Sequence, residues 1–272
     1  MRPLLGTFVE IGVDANDACD GGIEAAFQSV ARVQNLMSFQ DRDSELSRLN
    51  RSVVGEWVSL SQPILRVLRL AKNFGAKSGE LFNCTVGGAL VERGLLPDHT
   101  GMKPLMIGKS GDIELAMGRA RLLRPVRITL DGIAKGFAVD CAVATLRRHG
   151  IRSGWVNGGG DMRVFGTMQS PVYRRELNGR SAMLGRLHGA ALATSATRAD
   201  PSLGYHGELI PAATALASPD LVTVVASRAW LADALTKVAA LLPQRERRDR
   251  LRRLGGDIVD GRHRSGIARA AA

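Results

Sequence analysis

Three short stretches carry side chains that could do chemistry on a charged substrate. In A-W-L-A-D-A-L-T-K, Asp233 and Thr236 are three residues apart, so on a helix both side chains share one face. A carboxylate, a hydroxyl and a neighbouring backbone carbonyl are the hard oxygen ligands magnesium takes, with phosphates completing the shell. The same pair also reads as an acid near a helix start that favours the helix dipole. In I-T-L-D-G-I-A-K-G-F-A-V-D, residues 128–140, small residues, an acid and Lys135 lie where a strand turns into a helix. That turn points free N–H groups and the positive helix end outward, which suits a phosphate, and Gly132 and Gly136 let other atoms come close. Tight packing accounts for the same glycines and is the commoner origin of such a motif. The third stretch, G-Y-H-G-E-L-I-P, brings His206 into a strand. An imidazole can move a proton near neutral pH, although a strand-edge histidine also serves structure alone.

The pattern around these stretches supplies the elements that must position them. Residues 126–130 read as a buried strand, and Val139, Ala142, Val143 and Leu146 continue at helical spacing to a stop at Gly150. The opening M-R-P-L-L-G-T-F-V-E-I-G-V alternates through Leu5, Thr7, Val9 and Ile11 as a first strand. A helix over 21–37 follows, with Ala25, Val30, Val33 and Met37 facing inward. Ser44 caps a short helix carrying Glu45, Leu46 and Leu49, and Ser61 and Pro63 start a helix over 62–77. Residues 78–91 form a loop entering an apolar segment, and 97–113 are turn-rich. Residues 154–164 read as strand, glycine turn, strand, around Gly158, Gly159 and Gly160, whereas 168–186 are polar and poorly patterned. Strands follow at 191–195, 207–210 and 221–226, then a helix over 229–242, an arginine-rich helix and a strand at 257–259. The tail, about 263–272, reads as disordered. Strands and helices mix without strict alternation, so the expected class is α+β: one domain over 1–272 with a central, largely antiparallel sheet flanked by helices.

Composition narrows the function. The chain has 272 residues and is 45% hydrophobic and 23% charged, which suits a globular protein with a sizeable core. No apolar run approaches the roughly 20 residues a bilayer crossing needs. The early arginine is followed by an apolar part that Glu10 interrupts, so the reading is cytoplasmic as given, or periplasmic if a leader was removed. Three cysteines, Cys19, Cys84 and Cys141, lie far apart, which argues against a disulfide framework or a structural zinc site. Five histidines include no pair at metal-ligand spacing; His149 sits at a helix end, and His99, His188 and His263 fall in loops or tails. The net charge of +11 invites a nucleic-acid reading, but the densest run, residues 245–253, interleaves acids and looks like a solvated helix face. Aromatic residues, at 4%, are too few for base-stacking platforms, so no nucleic acid is expected and an anionic small molecule fits the charge.

Eight segments in order resemble the ApbE family of FAD:protein FMN transferases. They are L-G-T-F-V-E-I at Leu5, M-S-F-Q-D-R-D-S-E-L-S-R-L-N at Met37, E-L-F-N-C-T-V-G at Glu80 and G-I-A-K-G-F-A-V-D at Gly132. V-N-G-G-G-D at Val156, A-T-S at Ala193, Y-H-G at Tyr205, and V-T-V-V-A with A-D-A-L-T at Val222 complete the set. The resemblance implies an ApbE-like domain that binds FAD with magnesium, splits its pyrophosphate, passes FMN to a threonine hydroxyl of a target protein and releases AMP. The target it implies is a subunit of a membrane redox complex. By position, Met37 and Leu81, Phe82 and Asn83 would line the flavin nucleotide pocket, with Thr129 beside the nucleotide and Lys135 near the pyrophosphate. The Gly132 carbonyl, Asp233 and Thr236 would hold magnesium, and His206 would act as base towards the acceptor threonine.

Four positions depart from the family pattern. Thr129 stands where an aspartate is usual, with Asp131 two residues on. Asn83 replaces the aspartate after the phenylalanine, and Ile210 replaces the acid before Pro211. Lys237 falls four residues after Asp233, where the threonine usually lies, while Thr236 falls at three. These departures leave two other readings open: a FAD-binding protein without transferase activity, and a FAD pyrophosphatase that gives FMN and AMP.

Overall fold

The computed structural model describes residues 1–15, 20–101, 103–176, 179–196 and 221–259, with Asp20 described by its backbone alone. His206, Ile210, Cys19, His263, the strand expected at 207–210 and the tail from about 263 lie outside the described residues. In chain order the elements begin with β1 (Arg2–Leu4), β2 (Thr7–Val13), α1 (Asp20–Met37), α2 (Glu45–Arg51), β3 (Val58–Ser59), α3 (Gln62–Ser78) and α4 (Gly87–Glu92). Next come β4 (Ile113–Ala116), β5 (Arg119–Leu122), α5 (Ala134–Arg148), β6 (Gly154–Gly158), β7 (Asp161–Phe165), β8 (Gln169–Arg175) and β9 (Ser181–His188). The last are β10 (Ala191–Ala196), β11 (Leu221–Ala226), α6 (Ala229–Leu241), α7 (Gln244–Leu254) and β12 (Gly256–Ile258). The class is α+β with a large antiparallel sheet. The described residues form two compact units, one from those within 1–31, 135–196 and 221–259, the other from those within 32–134.

The first unit is built on a seven-stranded sheet in the order β1-β2-β6-β7-β10-β11-β12, every neighbouring pair antiparallel. Helix α6 packs across β7, β10, β11 and β12. The β8–β9 hairpin contributes Val172, Leu184 and Leu187 to an apolar cluster with Val164, Leu192 and Val225 of the sheet. This hairpin corrects the poor patterning over 168–186, and His188 ends a strand rather than lying in a loop. The N-terminal alternation divides into two strands rather than one. Leu5 and Gly6 sit at φ 58° and 69° between β1 and β2, the left-handed pair a two-residue hairpin turn requires. Gly159 and Gly160, at φ 65° and 97°, turn β6 into β7 as the sequence implied. In α1 the buried face carries Ala26 rather than Ala25, along with Val30, Val33 and Met37.

The second unit holds α2, α3, α4 and a small sheet in the order β3-β5-β4. Ser44 caps α2 by accepting the Ser47 N–H at 3.0 Å. Helix α3 buries Ile64, Leu65, Val67, Leu68, Ala71 and Phe74 along one face, and ends at Gly79 with φ 71°. The segment 126–130 is buried at all five positions, as read, but it is not a strand. A single side chain takes the place of a partner strand. Asn50, itself buried, donates from Nδ2 to the Ile128 carbonyl at 2.8 Å and accepts the Ile128 N–H at 2.7 Å. The Thr129 N–H goes to the Cys84 carbonyl, and the Arg127 carbonyl accepts the Gly87 N–H. The Val126 N–H goes to the Arg124 carbonyl and the Leu130 carbonyl accepts from Ile133 and Ala134, so the segment's hydrogen bonds are spread over scattered partners and no ladder forms.

Candidate functional site

The site-bearing part of the first unit is assembled at the starts of α5 and α6. Gly136, in the first turn of α5, faces the α6 backbone so closely that a Cβ there would lie 2.3 Å from the Ala229 carbonyl oxygen. Packing therefore accounts for this glycine. Asp140, one turn further along α5, accepts the Trp230 N–H at 3.0 Å, satisfying one of the orphan donors at the α6 start, and pairs with buried Arg163. Asp233 is fully buried and closes the same junction, its Oδ2 accepting the Gly136 N–H at 3.2 Å.

Around Asp233 lies a compact polar cluster. The Lys237 ammonium stands 2.9 Å from Asp233 Oδ1, 2.7 Å from Ser195 Oγ and 3.1 Å from Thr236 Oγ1. Thr236, also fully buried, donates its hydroxyl proton to the Asp233 carbonyl at 2.7 Å and bonds Ser195 Oγ at 2.7 Å. Asp161, at the start of β7, is 2% exposed, and its Oδ2 has no hydrogen-bond partner among the described residues. Lys135 Nζ lies 3.8 Å from that oxygen. Burial, then the neighbouring Asp233 charge, pushes the Asp161 carboxyl up to about 7, against the pull of Lys135 and Lys237.

This donor set does not fit a magnesium ion between Asp233 and Thr236. Magnesium needs oxygen ligands at about 2.0–2.1 Å in near-octahedral order. The three N–H groups of the Lys237 ammonium already have three oxygen acceptors, Asp233 Oδ1 and Thr236 Oγ1 among them. Thr236 Oγ1 gives its proton to a carbonyl and receives contacts from Ser195 and Lys237, so both lone pairs are engaged. Among the described residues no group of three His, Cys, Asp or Glu side chains could hold a metal ion.

The remaining residues singled out from the sequence belong to the second unit. Met37 and Phe82 are core side chains there, Phe82 meeting Phe74 edge-on with ring centroids 5.5 Å apart. Leu81 is half-buried. The Asn83 amide is committed to its own loop, accepting from the Thr85 N–H and hydroxyl at 2.8 and 2.6 Å and donating to the Gly108 carbonyl at 2.9 Å. The Thr129 N–H to Cys84 bond brings the segment after Asn83 against Thr129, whose hydroxyl donates to Asp131 Oδ2 at 3.0 Å. Gly132 lies in the turn before α5, half-buried.

The structure thus brings Lys135, Asp233 and Thr236 into one neighbourhood and Leu81, Phe82, Asn83 and Thr129 into another. Asp161, Asp140 and Ser195 are functional candidates to which the sequence reading gave no role. Each closes a segment already quoted, V-N-G-G-G-D, G-I-A-K-G-F-A-V-D and A-T-S, and that shared position was the available signal.

Comparison with known proteins bears on the whole chain. The pattern described as the ApbE family matches residues 5–258. A curated FAD:protein FMN transferase of Treponema pallidum (strain Nichols) is 25% identical over 171 residues, which are 55% of this chain. The match spans 46% of that relative, less than half its length. Among solved structures, an ApbE protein from Thermotoga maritima superposes with a TM-score of 0.74 at 24% identity, over 93% of this chain and 90% of the other. The flavin transferase ApbE of Vibrio cholerae gives 0.69 at 22% identity, covering 88% and 85%. The apo flavinyl transferase ApbE of Pseudomonas stutzeri gives 0.70 at 17%, covering 88% and 82%. At these identities the structural likeness carries the fold.

Proposed function

The chain belongs to the ApbE family, and from that premise we propose that it transfers the FMN half of FAD to a threonine hydroxyl of a target protein, releasing AMP. The observation that carries the reading is the reach of the family match, which takes in every motif from Leu5 to Thr236. Residues 1–272 act in this reading as a single ApbE-like flavin transferase domain. The threonine oxygen attacks the phosphorus on the FMN side of the pyrophosphate. A phosphoester bond forms, the bond to the AMP phosphate breaks, and the threonine proton passes to a base, the role proposed for His206. Lys135 offers an ammonium to the pyrophosphate, in keeping with its place at the α5 start. Met37, Leu81, Phe82, Asn83 and Thr129 are proposed for the flavin nucleotide. The magnesium that the resemblance implies at Gly132, Asp233 and Thr236 does not fit the oxygen set around Lys237, so no step is routed through it. The proposed partner is an acceptor protein presenting a threonine, such as a subunit of a membrane redox complex. No helix among the described residues is long and apolar enough to cross a membrane.

The test is mass spectrometry of an acceptor domain bearing a target threonine, incubated with the chain and FAD. A covalent FMN adduct with matching AMP is the expected result, and D233A lowers its rate at least about tenfold by removing the carboxylate that anchors Lys237 and the Gly136 N–H. Transfer unchanged in D233A overturns the assignment of this cluster to the reaction. One observation favours a second reading, a FAD-binding protein without transfer: a lysine ammonium fills the space between Asp233 and Thr236. That reading requires FAD to bind intact with no AMP released. Free FMN appearing at one rate with or without acceptor would instead mark a FAD pyrophosphatase.

A further inference from the structure

The cluster around Asp233 is balanced by charges of the chain itself. Two buried carboxyl groups, Asp161 and Asp233, lie with two lysines, Lys135 at 3.8 Å from the first and Lys237 at 2.9 Å from the second. Burying one carboxylate in an apolar interior requires a paired and hydrogen-bonded counter-ion, and Lys237 meets both conditions for Asp233. Its ammonium is held by three oxygens at 2.7 to 3.1 Å, from Ser195 of β10 and from Asp233 and Thr236 of α6. We infer that the Lys237 ammonium is the resident cation of this cluster, held where a divalent ion would have to bind, so that the cluster works without a metal.

The stem of Lys237 starts four residues after Asp233, one helical turn along, so the ammonium returns to the carboxylate without leaving its own helix. Such an intramolecular cation is present at fixed local concentration and needs no supply from solution. A divalent ion entering the same oxygens must first drive the ammonium out, losing its three hydrogen bonds, and then meets the repulsion of Lys135 beside Asp161. The inference rests on the flavin transferase reading for its consequence in turnover, but not for its test.

Mn2+ serves as the probe, titrated into the full chain without flavin and followed by the paramagnetic signal of the free ion. The wild-type chain is expected to hold no stoichiometric Mn2+. K237A is expected to gain one site with at least about tenfold higher affinity, about 1.4 kcal/mol, and K237A combined with D233N to lose it. One Mn2+ bound by the wild type and lost in D233N overturns the inference, as does a K237A chain that binds Mn2+ no better than wild type. Should K237A fail to fold, FAD affinity of the wild type in chelator and in Mg2+ decides: equal affinity supports the inference, and affinity that rises with Mg2+ but not in D233N overturns it. A chain that binds no FAD at all would sink the transferase reading while leaving the Mn2+ result to stand by itself.

Discussion

Asp161 shows how far a residue's surroundings can set its chemistry. Its carboxyl is buried beside a second carboxylate, and both effects favour the neutral form, raising it from an ordinary 3.8 to about 7. Between those two pH values the folded chain holds a proton that the unfolded chain has already released. Folding stability therefore falls as pH rises from about 4 to about 7, then levels off. D161N keeps the shape and removes the titration, so its stability is expected to stay flatter across that window. Chemical denaturation of both chains at several pH values checks this, and parallel profiles would show that Asp161 is charged throughout. None of this was legible in the sequence, where Asp161 is the acid that ends a glycine-rich turn. Asp233 was legible as an acid sharing a helix face with Thr236. Its partner was not, because a lysine one turn away on a helix reads first as a solvent-facing side chain, and the third oxygen that holds the ammonium, Ser195 of β10, comes from another element.

Elements were read well where burial follows a single period and poorly where it does not. Helices α1 and α3 bury one face against a core, α6 is buried on nearly every side with no exposed position, and all three were read to within a residue or two. The hairpin β8–β9 was missed because its exposed positions carry arginines and its outward face includes Tyr173 and Met183, so no clean alternation reaches the sequence. Likewise β4 and β5 are short, and their hairpin lies at the end of a turn-rich stretch. The segment 126–130 failed in the opposite way: five buried positions in a row suggest a central strand, yet Asn50, 78 residues earlier than Ile128, supplies the hydrogen bonds. That substitution of a side chain for a strand has a measurable cost if broken. N50A strands the buried N–H and carbonyl of Ile128, each worth about 1–3 kcal/mol when left unpaired, so a loss of about 2–6 kcal/mol is expected. Urea unfolding measures it, and a loss under 1 kcal/mol would mean that other groups or water replace the amide.

At the scale of the molecule, the order of motifs was more informative than any one of them. No stretch by itself separates a phosphate site from tight packing, and Gly136 indeed packs against α6; but eight segments in family order identify the family across both compact units. The same scale decides what the net charge of +11 can do. Much of the excess is arginine on exposed faces, as along α7, where Arg245, Arg252 and Arg253 are exposed and Arg247 alone is buried, bonded to the Leu242 carbonyl. Charges spread over a surface act on a polyanion through the sum of many weak contacts, and that sum collapses with salt because each contact releases counter-ions. A ligand carrying two phosphates and held at a few fixed groups has far less to lose, since contacts at hydrogen-bond distance are screened little at Debye lengths of about 7 to 14 Å. FAD affinity is therefore expected to fall only a few-fold between about 0.05 and 0.2 M salt, and that of a DNA duplex by about a hundredfold or more across the same range. Fluorescence titrations with each ligand at the two salt concentrations separate the cases. A FAD affinity as salt-sensitive as that for DNA would mean that the flavin nucleotide is drawn by the arginine surface and not by a defined site.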